Sequence, residues 1–156
     1  MAANKKTSLS AGSIIRAILL EDADVKAMTG NVFPVATDKA TLPYILYRRT
    51  ALEHNPTKAK QPGADTVQIE VLCFTEKYKE GVEMAEAVRA ALDYAQGESD
   101  GLVMRSCILN DSEEAWQDDA YVQQLVFSVK IRSKTSRYFH NFPREKIRKR
   151  FRGRNY

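Results

Sequence analysis

Thr66-Val-Gln-Ile-Glu-Val-Leu-Cys-Phe74 is the stretch on which the fold turns. Val67, Ile69, Val71 and Cys73 fall on one side of an extended chain there, and Gln68, Glu70, Leu72 and Phe74 fall on the other. Successive side chains of a strand point to opposite faces, so this period of two predicts a strand with one apolar face and one mixed face. A few residues on, the period changes. Tyr78, Val82, Ala85, Val88, Leu92 and Ala95 recur at helical spacing, with Glu83, Glu86 and Arg89 between them, which predicts an amphipathic helix over 78–95. A strand followed at once by a helix able to cover its apolar side belongs to a layered domain.

Working outward, Pro43 to Ala51 reads as a second strand. Tyr44, Ile45, Leu46 and Tyr47 suit a pleated surface, and Pro43 stands where a missing N–H does little harm. The segment 53–63, with Pro56, Pro62 and Gly63, reads as a polar loop. Towards the N-terminus, Ile14, Ile15, Ile18 and Leu19 share one helical face, predicting a helix over 8–20 capped by Ser10. A short helical turn over 22–28 closes at Gly30, and 31–34 is an extended piece. Towards the C-terminus, 97–101 ends the long helix, and strands follow at 102–109 and 121–131. Tyr121, Gln123, Leu125, Phe127, Val129 and Ile131 form the inner face of the last strand. The acidic stretch 110–119 between them, holding Trp116, reads as a hairpin loop. The expected fold is α+β, a mostly antiparallel four-stranded sheet with two helices packed on one face, plus an extended basic C-terminal arm. The opposite face, with Leu72, Phe74, Val122 and Val126 beside polar residues, is expected to stand open as an interface.

The 156 residues suit one domain, expected over 1–131, with the arm over 132–156. With 44% hydrophobic residues, a core can form without disulfide or metal. Cys73 and Cys107 read as buried reduced thiols, and neither has a neighbour at metal-ligand spacing. The first ten residues lack the apolar centre of a signal peptide, and no window approaches a membrane span, so a soluble, reducing compartment is expected. Charge is unevenly spread. From Arg132 to Tyr156 there are ten Lys/Arg against one acid, Glu145, a charge of +9; the other 14 Lys/Arg and 19 Asp/Glu leave the body at −5, matching the net +4. Such asymmetry suggests a tail that meets an acidic partner or a nucleic acid.

Catalytic motifs are missing one by one. With seven glycines in all, there is no phosphate-binding loop and no G-x-G-x-x-G. His54 and His140 form no H-E-x-x-H, and Gly12-Ser13 is a fragment of a nucleophile elbow and no more. Asp111, Glu113, Glu114, Asp118 and Asp119 lack calcium-loop spacing and read as solvated loop charge. No catalytic, cofactor or metal site is therefore expected. The candidate partner-binding residues are in the arm: Phe142, Arg144, Lys146, Ile147, Arg148, Lys149, Arg150, Phe151, Arg152 and Arg154. Three readings stand: docking on a neighbouring protein, binding nucleic acid through phosphates and stacking, and a passive tail. Five aromatics between Tyr138 and Tyr156 weigh against the last.

Several segments in series resemble the tail-completion, or tail-terminator, proteins of long-tailed bacteriophages. They are Ile14-Ile-Arg-Ala-Ile-Leu-Leu20, Asp24-Val-Lys-Ala-Met-Thr-Gly-Asn-Val-Phe-Pro34, Leu42-Pro-Tyr-Ile-Leu-Tyr-Arg-Arg49, the strand Asp65 to Phe74, and Ala85-Glu-Ala-Val-Arg-Ala-Ala-Leu92. The resemblance covers roughly residues 12–131. It implies a virion protein, assembled in the host cytoplasm, that forms a ring, usually a hexamer. The ring caps the tail tube, presents a surface to the head–tail connector protein, and lets DNA pass through. It implies no catalytic residue; from the lack of an apolar span, no membrane partner is expected either. The alternatives are another neck, connector or minor tail protein, or a small nucleic-acid-binding protein using its basic arm. The arm has no counterpart in the family pattern.

Overall fold

The computed structural model describes residues 6–37, 41–56 and 64–133. A 3-10 turn, Ser8–Ser10, leads into α1 (Gly12–Glu21) and α2 (Ala23–Met28). Strand β1 (Val32–Pro34) precedes β2 (Tyr44–Glu53) and β3 (Asp65–Thr75). Helix α3 (Tyr78–Leu92) is followed by β4 (Gly97–Ser99), β5 (Leu102–Gln117) and β6 (Ala120–Ser133). The strands form one six-stranded sheet in the order β1-β2-β3-β6-β5-β4. β1 runs parallel to β2, and every other pairing is antiparallel.

The expectation of four strands and two helices is thereby corrected: the sheet is six-stranded, mixed and curled into a half-barrel, with three short helices. The two additional strands are three residues each. Segments that short carry no periodicity. They are strands because the finished β2 and β5 offer them backbone partners, as in Val32 opposite Ile45 and Gly97 opposite Met104.

The central pair β3–β6 carries the core. Val67, Ile69, Val71 and Cys73 are fully buried on the helix side, beside Phe127, Val129 and Ile131 of β6. Helix α1 adds Ile14, Ile15 and Leu19, and α2 adds Val25. Ser10 does not cap α1. Ala11 stands at that position without a side-chain bond, whereas Asp22 caps α2 by accepting from the Val25 N–H at 3.1 Å. Helix α3 ends at Leu92, three residues before the expected Ala95, and its buried stripe is rotated from the expected one. Gly81, Met84, Val88 and Leu92 face the core, while Tyr78 is exposed. Gly81 allows the close approach: a Cβ there would lie 2.8 Å from Thr75 Oγ1. Beyond Asp93 the chain reverses through Tyr94, which is held at φ +66°.

The face away from the helices is buried in part. Leu46, Phe74, Ala120 and Val122 form a second buried cluster, flanked by Phe33, Leu42, Tyr44 and Leu72. The Tyr44 ring, directly across the strand pair, stacks beside Phe74 at 4.7 Å. Further along that face Glu70 is buried, and the Arg48 guanidinium donates to it at 2.6 Å while the Gln124 amide donates to its other oxygen. Charge-assisted bonds of this kind let a carboxylate sit inside a sheet face.

Candidate functional site

The stretch read as an acidic loop is strand. β5 continues to Gln117 and turns through Asp118 and Asp119 into β6, with both turn residues in the left-handed region at φ 52° and 60°. A two-residue turn with both φ values positive matches the twist of antiparallel strands, and aspartate tolerates that backbone better than most residues. Register shifts fall between Met104 and Ser106 and between Leu109 and Asp111. After the second, Asp111, Glu113 and Ala115 stand opposite Val126, Gln124 and Val122, whereas Ser112, Glu114 and Trp116 stand opposite Leu125, Gln123 and Tyr121. Side chains therefore divide between two faces. Glu114 and Trp116 lie on the helix side, and Asp111 and Glu113 on the far side. The β6 half of this hairpin is largely buried, while every residue from Asn110 to Asp119 is exposed.

Near the hairpin tip the helix-side residues form a built surface. Trp116 packs edge-on to Tyr121 at 4.8 Å, and Tyr78 from the first turn of α3 does the same at 5.7 Å. The Tyr78 hydroxyl donates to Glu114 Oε1 at 2.9 Å, and Gln123 Nε2 donates to the same oxygen at 3.0 Å. The bonds from Gln123 and Tyr78 hold the Glu114 carboxyl below its usual range, and the Glu114 carboxylate pushes the Tyr78 phenol up. Trp116 remains 58% exposed and Tyr78 48% exposed.

The outer edge of β5 changes character along its length. β4 pairs with Leu102–Met104. The turn after α3 covers the next residues: Tyr94 N–H donates to the Cys107 carbonyl at 2.6 Å, Gln96 Nε2 to the Arg105 carbonyl at 3.2 Å, and Leu109 N–H to Asp93 Oδ1 at 2.9 Å. From Asn110 to Gln117, among the described residues, no strand pairs on the outer side.

A second polar cluster ties distant segments together. Asp65, the first residue of β3, accepts from Ser8 Oγ at 2.5 Å, from the Asn55 N–H at 3.1 Å and pairs with His54 Nδ1 at 2.8 Å. Burial alone would raise the Asp65 carboxyl, but the bonds from Ser8, Asn55 and His54 outweigh it and hold it below its ordinary value. The cluster closes the N-terminal turn onto the β2–β3 junction. Burial pushes the Cys73 and Cys107 thiols up to about 12, so neither is a thiolate near neutrality. Among the described residues no group of three His, Cys, Asp or Glu converges as a metal site, and no helix is long and apolar enough to cross a membrane. A shallow depression beside the end of α3, lined by Glu86, Arg89 and Asp93, holds no catalytic constellation.

The arm candidates, Phe142 and the residues from Arg144 to Arg154, lie outside the described residues. β6 runs two residues past Ile131, and Arg132 and Ser133 pair with Val103 and Leu102. Sequence reading missed the hairpin edge because 110–117 has no apolar alternation. Trp116, the chain's one tryptophan, was the available signal.

In the comparisons with known proteins, no curated protein matches the sequence. Among solved structures, a chain of the "Virion of native gene transfer agent (GTA) particle" shares the fold with a TM-score of 0.62 at 18% identity, covering 79% of this chain and 97% of that one. The family model described as "Tail completion protein gp17" matches residues 13–133, which span α1 through β6. By that match the chain belongs to the tail completion protein gp17 family, structural proteins of the phage virion tail.

Proposed function

We propose that this chain is the subunit of a closed ring, a hexamer, that caps the completed tail tube and presents a surface to the head–tail connector while DNA passes through. The observation that carries this reading is the outer edge of β5 from Asn110 to Gln117, on which no strand pairs among the described residues. An exposed strand edge is a pairing template that a monomer must blunt and an assembly can cover. A ring is built from head-to-tail contacts, in which each subunit offers two unlike surfaces. Here the free edge lies at one end of the β5–β6 hairpin, and the basic arm departs from the other end, at Ser133. The arm beyond Ser133 is the second surface, and Phe142, Ile147 and Phe151 anchor it beside its cations, since buried aromatics carry such contacts. The protein acts by assembly and not by catalysis.

Solution mass is the test. Alone or with tail-tube protein, the purified chain should form a closed species several times its 17.7 kDa. A monomer in both conditions at micromolar concentration overturns the ring.

A further inference from the structure

We infer that the free edge of β5 receives the C-terminal arm of a second copy of this chain as an added strand. This rests on the ring reading and names its contact. Apart from the Ser112 N–H, which donates to Asp111 Oδ1 at 2.8 Å, the edge offers backbone groups on which an extended peptide can build a strand. Its flanking side chains specify the occupant. From Asn110 to Asp119 there are five carboxylates and no Lys or Arg. Two such hairpins meeting edge to edge would set like charges beside each other, which disfavours self-pairing. A basic strand is favoured instead.

The arm carries the matching pattern. Arg144, Lys146, Arg148, Arg150, Arg152 and Arg154 recur at every second residue. In a strand all six would lie on one face, with Ile147 and Phe151 on the other. The edge of β5 is divided in the same way. Asp111 and Glu113 flank it on the far side, and Glu114 and exposed Trp116 flank it on the helix side. A strand laid there with its cations over Asp111 and Glu113 and Lys149 beside Glu114 brings one of Ile147 and Phe151 beside Trp116 and the other beside Ser112. The opposite orientation would place arginines on the tryptophan face and leave the apolar pair over carboxylates.

The occupant comes from a second copy. Within one chain the arm leaves Ser133 at the base of the hairpin, where β4 and the Asp93–Gln96 segment already occupy that side of β5. A donor subunit approaching from the tip meets no such obstacle, and donor and acceptor sites then differ, as a head-to-tail ring requires.

Trp116 is a direct reporter, since it is the chain's one tryptophan and 58% exposed before docking. In the full-length protein its emission should shift to shorter wavelength on assembly, with a dependence on protein concentration. Reversing Asp111 and Glu113 to lysine, or Arg148 and Arg150 to glutamate, should each weaken assembly by about tenfold or more, and combining the two pairs should restore most of it. A shift independent of concentration would place the arm on its own hairpin and overturn the inference. So would a ring of normal mass in which Trp116 emission stays unchanged and neither reversal matters; that result leaves the ring reading standing. Loss of duplex-DNA retention in the arm variant, with mass and emission unaltered, would assign the arm to DNA instead. A monomer under all conditions overturns both readings together.

Discussion

Asp65 joins three parts of the chain through one carboxylate: Ser8 before α1, and His54 and Asn55 at the end of β2. Because its folded carboxyl sits below the ordinary 3.8, its contribution is complete above that value and drains away as pH falls through the lower folded value. Asp65→Asn should therefore lower stability near neutrality by about 1.5–3 kcal/mol, the range for hydrogen bonds to a charged group. The gap between wild type and variant should narrow as the medium is acidified through the carboxylate range. Denaturation midpoints of both proteins against pH check this, and a gap that widens in acid would show that the carboxylate is not the stabilising form. The two cysteines make the opposite point at this scale. Both are buried with thiols raised to about 12, so they serve as small apolar side chains and not as nucleophiles.

At the scale of elements, α3 and the β5–β6 hairpin carry the consequences. The face that α3 buries is set by Gly81, Met84, Val88 and Leu92. Leu92→Ala and Met84→Ala should each cost about 2–5 kcal/mol, because a deleted core side chain loses its transfer energy and leaves a cavity. Tyr78→Ala should cost clearly less, since that ring is 48% exposed. Chemical denaturation of the three variants decides it, and equal losses would mean the helix is rotated from this position. The hairpin shows why β-propensity is a statement about surroundings. Asn110 to Gln117 has little strand character of its own, yet it pairs along its length with a β6 whose Val122, Leu125, Val126 and Phe127 are buried.

For the whole molecule the question is what the +9 arm meets. Seven basic residues lie between Arg144 and Arg154. If all seven met phosphates of duplex DNA, the log–log salt slope of binding would approach roughly −6. Docked on an acidic neighbour, those cations are already paired, so DNA binding by assembled protein should show a much shallower slope. Truncation after Ser133, or changing Phe142 and Phe151 to serine, should then impair assembly and the completion of infectious particles. A slope near −6, with assembly intact in both variants, would turn the arm over to DNA.

The sequence by itself determined the elements that bury an apolar face. The alternation at 66–74 became β3, Ile14, Ile15 and Leu19 became the core side of α1, and Phe127, Val129 and Ile131 became the inner face of β6. The family resemblance was legible in the same segments, and the family match spans 13–133. The tertiary structure alone decided the rest. β1 and β4 exist because completed strands lend them partners, and three residues are too few to announce a period. The two register shifts in β5 move its side chains between faces, so no simple alternation runs through it. The rotation of α3 follows from Gly81 lying against Thr75, and the partial burial of the far face from the cluster that Leu46, Phe74, Ala120 and Val122 form. The hairpin edge stayed hidden for the same reason. Local patterning records which side chains leave water, whereas a strand that remains in water is specified by the backbone of its neighbour, and that neighbour is chosen only when the sheet assembles.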